Sequence, residues 1–451
     1  MALLNTSFSC EEIHNFFVKA KKIFFIGIGG ISTSSLATYA YFCGKEIYGY
    51  DQVRGSEARK LESIAKIKYY STPDNVENMD LVVYTGAIDE NNFEYKRAME
   101  LEIPTVSRAN FLGYVISRYK NQIGICGMHG KSTTTAMLWK IFSYASRRPS
   151  VFCGAEISEL KSSSVLDSGE SCIFEACEYL NSFLSLRARD VGIVNIDYDH
   201  PDFFKSIDEV IESFNAFVLP SERVFINADD LYSKKIKHKK IITYGIKNEA
   251  TYRGKIIHSV GKNEFLVYHG KKELGKVRLK MCGVHFVYDA LCAIAIACEN
   301  KISPRVVFSA LEEFEGTLRR LQMIKKTDTG VPIFEDYAHH PTEIKATIEA
   351  LISSGYKKIT CLFQAHTYSR TFYLYDGFKK AFDGVCSLFV LPIYPAREKN
   401  TLGLTDEGFA SDIGGVFVSS IENARKLLFS CEADVIVIMG AGDITNIKKI
   451  L

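Results

Sequence analysis

The sequence predicts an α/β protein of three domains in series, and three observations carry that prediction. Its 451 residues are about three times the length of one ordinary domain. Short apolar strands alternate with amphipathic helices along the chain, the pattern of parallel sheets covered by helices. Glycine-rich turns recur where a strand hands over to a helix, which is where such sheets bind phosphates.

The first domain, residues 1–118, opens with the strand KIFFIG, a glycine turn, the helix SSLATYAYFCG and the strand EIYGYD, a βαβ unit. Alternation continues through DLVVYTGAI, a helix over 95–100, IPTVS and a helix over 108–119, which predicts a Rossmann-like parallel sheet. The second domain, 119–316, begins with the strand QIGIC running straight into GICGMHGKSTTT. The helix after it carries Met137, Leu138, Ile141 and Phe142 on one apolar stripe. SCIFEAC, VGIVNID, RVFINAD and KIITYG supply further strands. Between 251 and 281, short alternating runs broken by Gly-Lys predict a small antiparallel insertion at the edge of a P-loop ATPase-like domain. Helices over 284–299 and 304–314 close it. The third domain, 317–451, alternates again, with the strand VPIFEDYA, the helix PTEIKATIEALISS, the strand KKITCLFQ, a helix over 375–382, and the strands SLFVLPIY and DVIVIMGAGD, a second Rossmann-like unit.

Composition narrows the function classes. Hydrophobic residues at 47% and charged residues at 24% are the proportions of a globular chain. Fifty-five basic against 53 acidic residues, net +2 and without blocks, leave no footprint for nucleic acid or a lipid surface, so small ligands are the expected partners. No apolar run reaches the roughly 18 residues of a membrane span. The N-terminal MALLNTSFSCEEIHNFF lacks the layout of a secretory signal, and a cytoplasmic chain is expected. The 12 cysteines contain no C-x-x-C; Cys292, Cys298 and Cys386 sit in apolar segments and read as buried thiols of a reducing compartment.

GIGGISTSSLA places Gly27, Gly29 and Gly30 in a βα turn, and Asp51 ends the next strand. Close backbone approach and a helix N-terminus suit a pyrophosphate, with Asp51 on a ribose hydroxyl, although Ser32 stands where a third glycine belongs. A nicotinamide cofactor and a tight turn without ligand both stay open. In GICGMHGKSTTT the common G-x-x-x-x-G-K-[ST] spacing fails, because Ile125 occupies the first glycine position. Lys131 for β/γ-phosphates and Ser132 for magnesium are what phosphoryl transfer asks for; a Gly-rich turn with a surface lysine is the plainer alternative. FEACEYLNSF and NIDYDHPDFF put Glu175, Glu178, Asp197, Asp199, His200 and Asp202 at strand ends, as magnesium ligands or as solvated loop charges. Arg319 and Arg320 pair at a hinge, suited to phosphate by their forked geometry. Asp336, Tyr337, His339 and His340 gather where a strand meets a helix, which is a carboxylate site or an ordinary capped helix, and His366 with Arg370 repeats the theme on the next strand.

In this order, GIGG with SSLA, TGAI with IPTVSRA, GMHGKSTTT, FEACEYLNSFL, NIDYDHPDFF, DYAHHPTEIKATIEA, QAHTYSRT and PAREKNTLGLT resemble the Mur ligase family over nearly the whole chain. The resemblance implies an ATP-dependent carboxylate–amine ligase with Mg²⁺, acting in peptidoglycan precursor synthesis. It would join L-alanine to the lactyl carboxylate of UDP-N-acetylmuramate through an acyl phosphate, as a monomer or weak dimer. The family's shorter loop, G-x-x-G-K-[ST]-[ST], is met by Gly127, Gly130, Lys131, Ser132 and Thr133, with Met128 and His129 between the glycines. By resemblance Ser132 and Glu175 would hold a first magnesium and His200 would help hold a second, Arg319 and Arg320 would approach the phosphates, and Asp336 would bind the ATP ribose. Tyr337, His339, His366 and Arg370 would lie near the alanine and muramyl carboxylates. Gly27, Gly29, Gly30, Asp51, Thr85, Gly86 and Arg108 would cradle the UDP sugar. His200 or another imidazole is the implied base for the amine. The family usually shows H-N-x-x-N at the adenine, whereas here His285 is followed by Phe286 and then Asp289, and Asn110 replaces a usual glutamate. A murein tripeptide ligase, a nucleotide-sugar-binding protein that has lost turnover and a nicotinamide oxidoreductase are the rival readings; the last leaves Lys131, Glu175 and His200 unexplained.

Overall fold

The computed structural model describes residues 8–258 and 260–451, so residues 1–7 of the N-terminal stretch read above and Ser259 of the insertion lie outside it. Three sheets, of five, ten and six strands, carry the chain. The first is all parallel, with Lys22–Ile26 between Glu46–Tyr50 and Leu81–Tyr84, and with Ala65–Lys68 and Thr105–Ser107 at its edges. LVVY is buried at every position because helices cover both faces of such a sheet. Strand order reverses between Lys22–Ile26 and Leu81–Tyr84, so Gly27 and Thr85 open the crevice where parallel sheets bind ligands.

In the central sheet Asn121–Cys126 lies between Asp190–Ile193 and Ser171–Glu175, all parallel. The loop that leaves it therefore emerges between the strand ends bearing Glu175 and Asn195. The insertion is a three-stranded antiparallel unit, Tyr252–His258, Asn263–His269 and Lys272–Leu279, hydrogen-bonded onto the central sheet through Tyr244 and Tyr252. In the third sheet Ile359–Gln364 lies between Val435–Gly440 and Val385–Val390, and Gln322–Lys326 adds an antiparallel edge that the sequence pattern did not reveal. None of the described helices is long and apolar enough to cross a membrane.

Two expectations are corrected. The helix expected over 375–382 is instead Tyr368–Tyr373 followed by the single turn Tyr375–Phe378. Thr367 caps the first of these by accepting from Arg370 N, so the helix starts earlier than the apolar residues do. Cys386 is exposed, as are Cys10 and Cys43, because Val385–Val390 is buried only in its second half.

The first and central domains meet where the helix Arg108–Ser117 packs against the segment Tyr179–Ser185. A Cβ on Gly113 would stand 2.2 Å from the Ser185 carbonyl oxygen. Alanine gains about 1 kcal/mol over glycine in a helix, but a backbone clash of this depth outweighs it. Gly113→Ala is expected to cost about 1–3 kcal/mol, read as a lowered thermal midpoint; a raised midpoint would show that the two domains do not touch there.

Candidate active site

Three cavities follow one another along the carboxyl ends of the sheets. The largest, about 450 Å³, lies between the central and third domains and is lined by Lys131, Ser132, Glu175, Glu178, His200, Tyr337, His339, His366 and Arg370, among others. Beside it, a cavity of about 330 Å³ is bounded by His129, Gly130, His285, Phe286, Asp289, Arg320 and Asp336. A smaller one, about 140 Å³, joins Thr85, Gly86 and Arg108 of the first domain to Tyr179 and Arg397.

The loop after Asn121–Cys126 explains its own spacing. Ile125 is fully buried within the strand, so the loop begins only at Gly127. Gly127 has φ 135° and Gly130 φ 81°, values that L side chains rarely adopt. A Cβ on Gly127 would reach 2.9 Å from the Asn195 carbonyl oxygen, and one on Gly130 would reach 2.3 Å from Asp289 Oδ1. Asn195, which sequence reasoning missed, clamps the loop: its Oδ1 accepts from Met128 N at 3.1 Å and His129 N at 3.0 Å, and its Nδ2 donates to the His129 carbonyl at 2.9 Å. An asparagine two residues past a strand has no local signal; only the parallel pairing with Asn121–Cys126 brings it here.

The helix Lys131–Tyr144 starts at this loop with no side-chain cap, leaving its first N–H groups free for an anion. Thr133 lines the 330 Å³ cavity within its first turn. Lys131 Nζ donates to the Gly127 and Met128 carbonyls and stands 3.0 Å from Glu178 Oε2, itself only 1% exposed. Burial opposes the charge on Lys131, but Glu178 and neighbouring acids more than offset it and hold the ammonium above its usual range. Ser132 Oγ donates to Glu175 Oε2 at 2.7 Å, and Gly154 N donates to the same oxygen at 2.8 Å. His200, at φ 56°, lies 3.3 Å from Glu178 Oε1 and packs on the Tyr179 ring. A hydroxyl and a carboxylate side by side next to an ammonium form a fitting oxygen donor set for a hard dication at a triphosphate.

The third domain closes over this loop through charged pairs. Arg370 Nε donates to Asp199 Oδ1 at 2.8 Å, the two side chains being 7% and 5% exposed. Asp199 is held well below the usual carboxylate range: burial would raise it, and the Arg370 guanidinium wins. Arg370 Nη1 also reaches His366 Nδ1 at 3.2 Å. Burial lowers His339 to about 3, and burial with Arg370 lowers His366 to about 4, so both imidazoles are neutral at pH 7. Glu343, also missed from the sequence, gathers four groups. His129 Nδ1 lies 3.2 Å away, Arg320 Nη1 lies 3.5 Å away, and the backbone N–H groups of His339 and His340 donate to it. Its signal was present, since Glu343 is the N3 residue of a capping box on the helix Pro341–Ser353.

Other expected site residues are placed less directly. Arg319 turns away from the large cavity: Nη2 donates to the Gly440 carbonyl at 2.6 Å, Nε lies 3.1 Å from Glu335, and its plane covers the Tyr337 ring. Asp336 accepts from Leu321 N, Ala338 N and Thr347 Oγ1 while bordering the 330 Å³ cavity. Asp289 is buried against Gly130, and burial keeps its carboxyl well above the usual range. His285 and Phe286 pack ring to ring at 4.1 Å on the cavity wall. In the first domain Asp51 Oδ2 accepts from Gly29 N at 2.8 Å, and Gly30 starts the helix Ile31–Phe42. Gly27 has φ 76°, and a Cβ on it would stand 2.6 Å from Thr85 Cγ2. Ser32, in place of the third glycine, accepts from Arg108 Nη1 at 2.9 Å, so the departure from the dinucleotide pattern holds an arginine at the small cavity.

Known proteins resemble the chain along nearly its whole length. Family models described as the Mur ligase family catalytic domain, the Mur ligase middle domain and the Mur ligase glutamate ligase domain match residues 22–120, 125–297 and 319–442. A UDP-N-acetylmuramate–L-alanine ligase of Caldanaerobacter subterraneus subsp. tengcongensis is 36% identical, over 96% of this chain and 97% of its own. The crystal structure of UDP-N-acetylmuramate-alanine ligase from Thermotoga maritima superposes with a TM-score of 0.82 at 25% identity, covering 95% of this chain and 97% of that one. A murein peptide ligase from Psychrobacter arcticus shares the fold at a TM-score of 0.71 and 21% identity, covering 96% of this chain and 98% of that one.

Proposed function

The chain belongs to the Mur ligase family, and on that premise we propose that it joins L-alanine to the lactyl carboxylate of UDP-N-acetylmuramate at the cost of ATP, a step in peptidoglycan precursor synthesis. The observation that carries the reading is the large cavity. It sets a phosphate loop, Lys131 with Ser132, opposite the His339, His366 and Arg370 cluster of the third domain, and the small cavity at Arg108 shares Tyr179 and Arg397 with it. In this reading a triphosphate, a carboxylate and an amine would meet in one cavity.

In this reading the lactyl carboxylate oxygen attacks the γ-phosphorus of ATP and ADP leaves. The alanine amine then attacks the acyl carbon, phosphate departs with the former carboxylate oxygen, and an imidazole of the cavity other than the metal-holding His200 takes the amine proton. Both steps concentrate negative charge that Lys131 and Arg320 are already placed to meet, while the closed third domain excludes water. Mg²⁺, when bound by Ser132, Glu175 and His200, supplies further neutralisation of the phosphates. The small cavity takes the UDP sugar, with Thr85, Gly86 and Arg108 at its wall.

With substrate labelled by ¹⁸O in both lactyl carboxylate oxygens, one label is expected in each phosphate released; unlabelled phosphate would contradict the acyl-phosphate route. Glu175→Gln is expected to raise the Mg²⁺ concentration needed for half-maximal turnover by about 10–100-fold, and chelation of Mg²⁺ should stop phosphate release in both forms. An unchanged Mg²⁺ requirement would remove Glu175 from the metal site.

A further inference from the structure

Where the phosphate loop meets the third domain, His129, Asp197 and His340 bring three ligand atoms within 4.8 Å of one another. His129 Nε2 lies 3.4 Å and His340 Nδ1 3.8 Å from Asp197 Oδ2. Tetrahedral ligands about 2.0–2.1 Å from a zinc-sized ion stand about 3.3 Å apart, so the two histidine–Asp197 pairs are within about 0.5 Å of that spacing, and binding draws the two imidazoles together from a separation of at most 4.8 Å.

The far nitrogen of each ring is already oriented. His129 Nδ1 faces the Glu343 carboxylate at 3.2 Å, and His340 Nε2 faces the Tyr198 carbonyl at 3.2 Å. Both partners only accept, so those nitrogens carry the protons, and the near nitrogens are the ones turned toward Asp197. An imidazole whose outer N–H is held by a carboxylate or carbonyl is the usual support of a metal-binding histidine. Two nitrogens and one oxygen favour a borderline transition-metal dication over Mg²⁺, which prefers oxygen ligands. None of the three residues is shared with the Ser132, Glu175 and His200 set. His129 and Asp197 also border the 330 Å³ cavity, which leaves a coordination position open toward it.

We propose that His129, Asp197 and His340 form a second cation site, for a dication of the Zn²⁺ class, that pins the phosphate loop to the third domain. Binding releases the proton of His129 Nε2 and takes the place of two weaker bonds in the present arrangement, Thr342 N to His340 Nδ1 at 3.2 Å and Thr342 Oγ1 to Asp197 Oδ2 at 2.7 Å. The assignment rests on this geometry and not on the ligase reading.

The test is titration of the full-length, chelator-stripped protein with Co²⁺ alone, its thiols alkylated because Cys10, Cys43 and Cys386 are exposed. The expected result is one equivalent with the visible absorbance of a tetrahedral N/O site. Its affinity should fall at least about 10–100-fold in Asp197→Asn and His340→Asn and be unchanged in Glu175→Gln. Asparagine is a good N-cap, so His340→Asn removes the ligand while keeping the start of its helix; equal thermal midpoints without metal confirm that. Zn²⁺ should raise the midpoint of the parent protein and not of His340→Asn. Binding through thiols only, an equivalent that survives His340→Asn, or one lost in Glu175→Gln would each overturn the site.

Discussion

Replacing Lys131 by alanine is expected to lower phosphate release on the order of 10²–10³-fold, the usual loss when one preorganised charge partner of a transition state is removed. Lys131 is nearly buried beside Glu178, so the single variant also strands a carboxylate that is 1% exposed. Stability alone would confuse the result. The double variant Lys131→Ala/Glu178→Gln removes the stranded charge, and its thermal midpoint should recover toward that of the parent protein while turnover stays low. Recovery of turnover in the double variant would mean that Lys131 serves only to neutralise Glu178, and the phosphate-loop assignment would fail.

Arg370→Met is expected to destabilise the protein by about 3–5 kcal/mol, because it leaves Asp199 buried without its partner. The pH dependence follows from the depressed carboxyl. A folded-state pKa below the unfolded value gives a contribution that is fully present above about pH 4 and is lost as pH falls through the folded value. The parent's own contribution should be level from pH 5 to 8 and lost in acid, whereas burial without the guanidinium raises Asp199 in the variant, so the difference in midpoint should be largest at neutral pH and shrink as pH falls. Asp199→Asn/Arg370→Met should regain much of the stability but little of the turnover, since Arg370 also lines the large cavity beside His366. A variant as stable as the parent would show that the central and third domains are not joined through this pair.

Local pattern made the phosphate loop legible, since a strand, a glycine turn and a helix with an apolar stripe stand in one stretch of sequence. Ile125 looked like a defect only against a longer loop; its burial in the strand shows that the turn starts later. The charged strand ends, Glu175 and His200, were legible for the same reason. What stayed hidden was assembled across the sheet. Asn195 acts on the loop because two strands pair in parallel, and Glu343 acts on His129 because two domains close. The helix Cys10–Lys19 was missed although Ser9 and Glu12 form a capping box, a readable signal. The helix Tyr368–Tyr373 had no apolar stripe to show it, being fixed by the Thr367 cap and by Ser369 donating to Glu398. Arg319 and Arg320 looked equivalent in sequence, yet one is tied to Glu335 and Gly440 and the other faces Glu343 and the cavities.

The most direct measurement follows phosphate release from ATP by the purified protein with Mg²⁺ and UDP-N-acetylmuramate, with each amino acid added singly and with none. Release that requires both UDP-N-acetylmuramate and L-alanine, and that yields the alanyl product in equal amount, is the predicted result. No release under any pairing, or release that needs a peptide in place of the free amino acid, would contradict it.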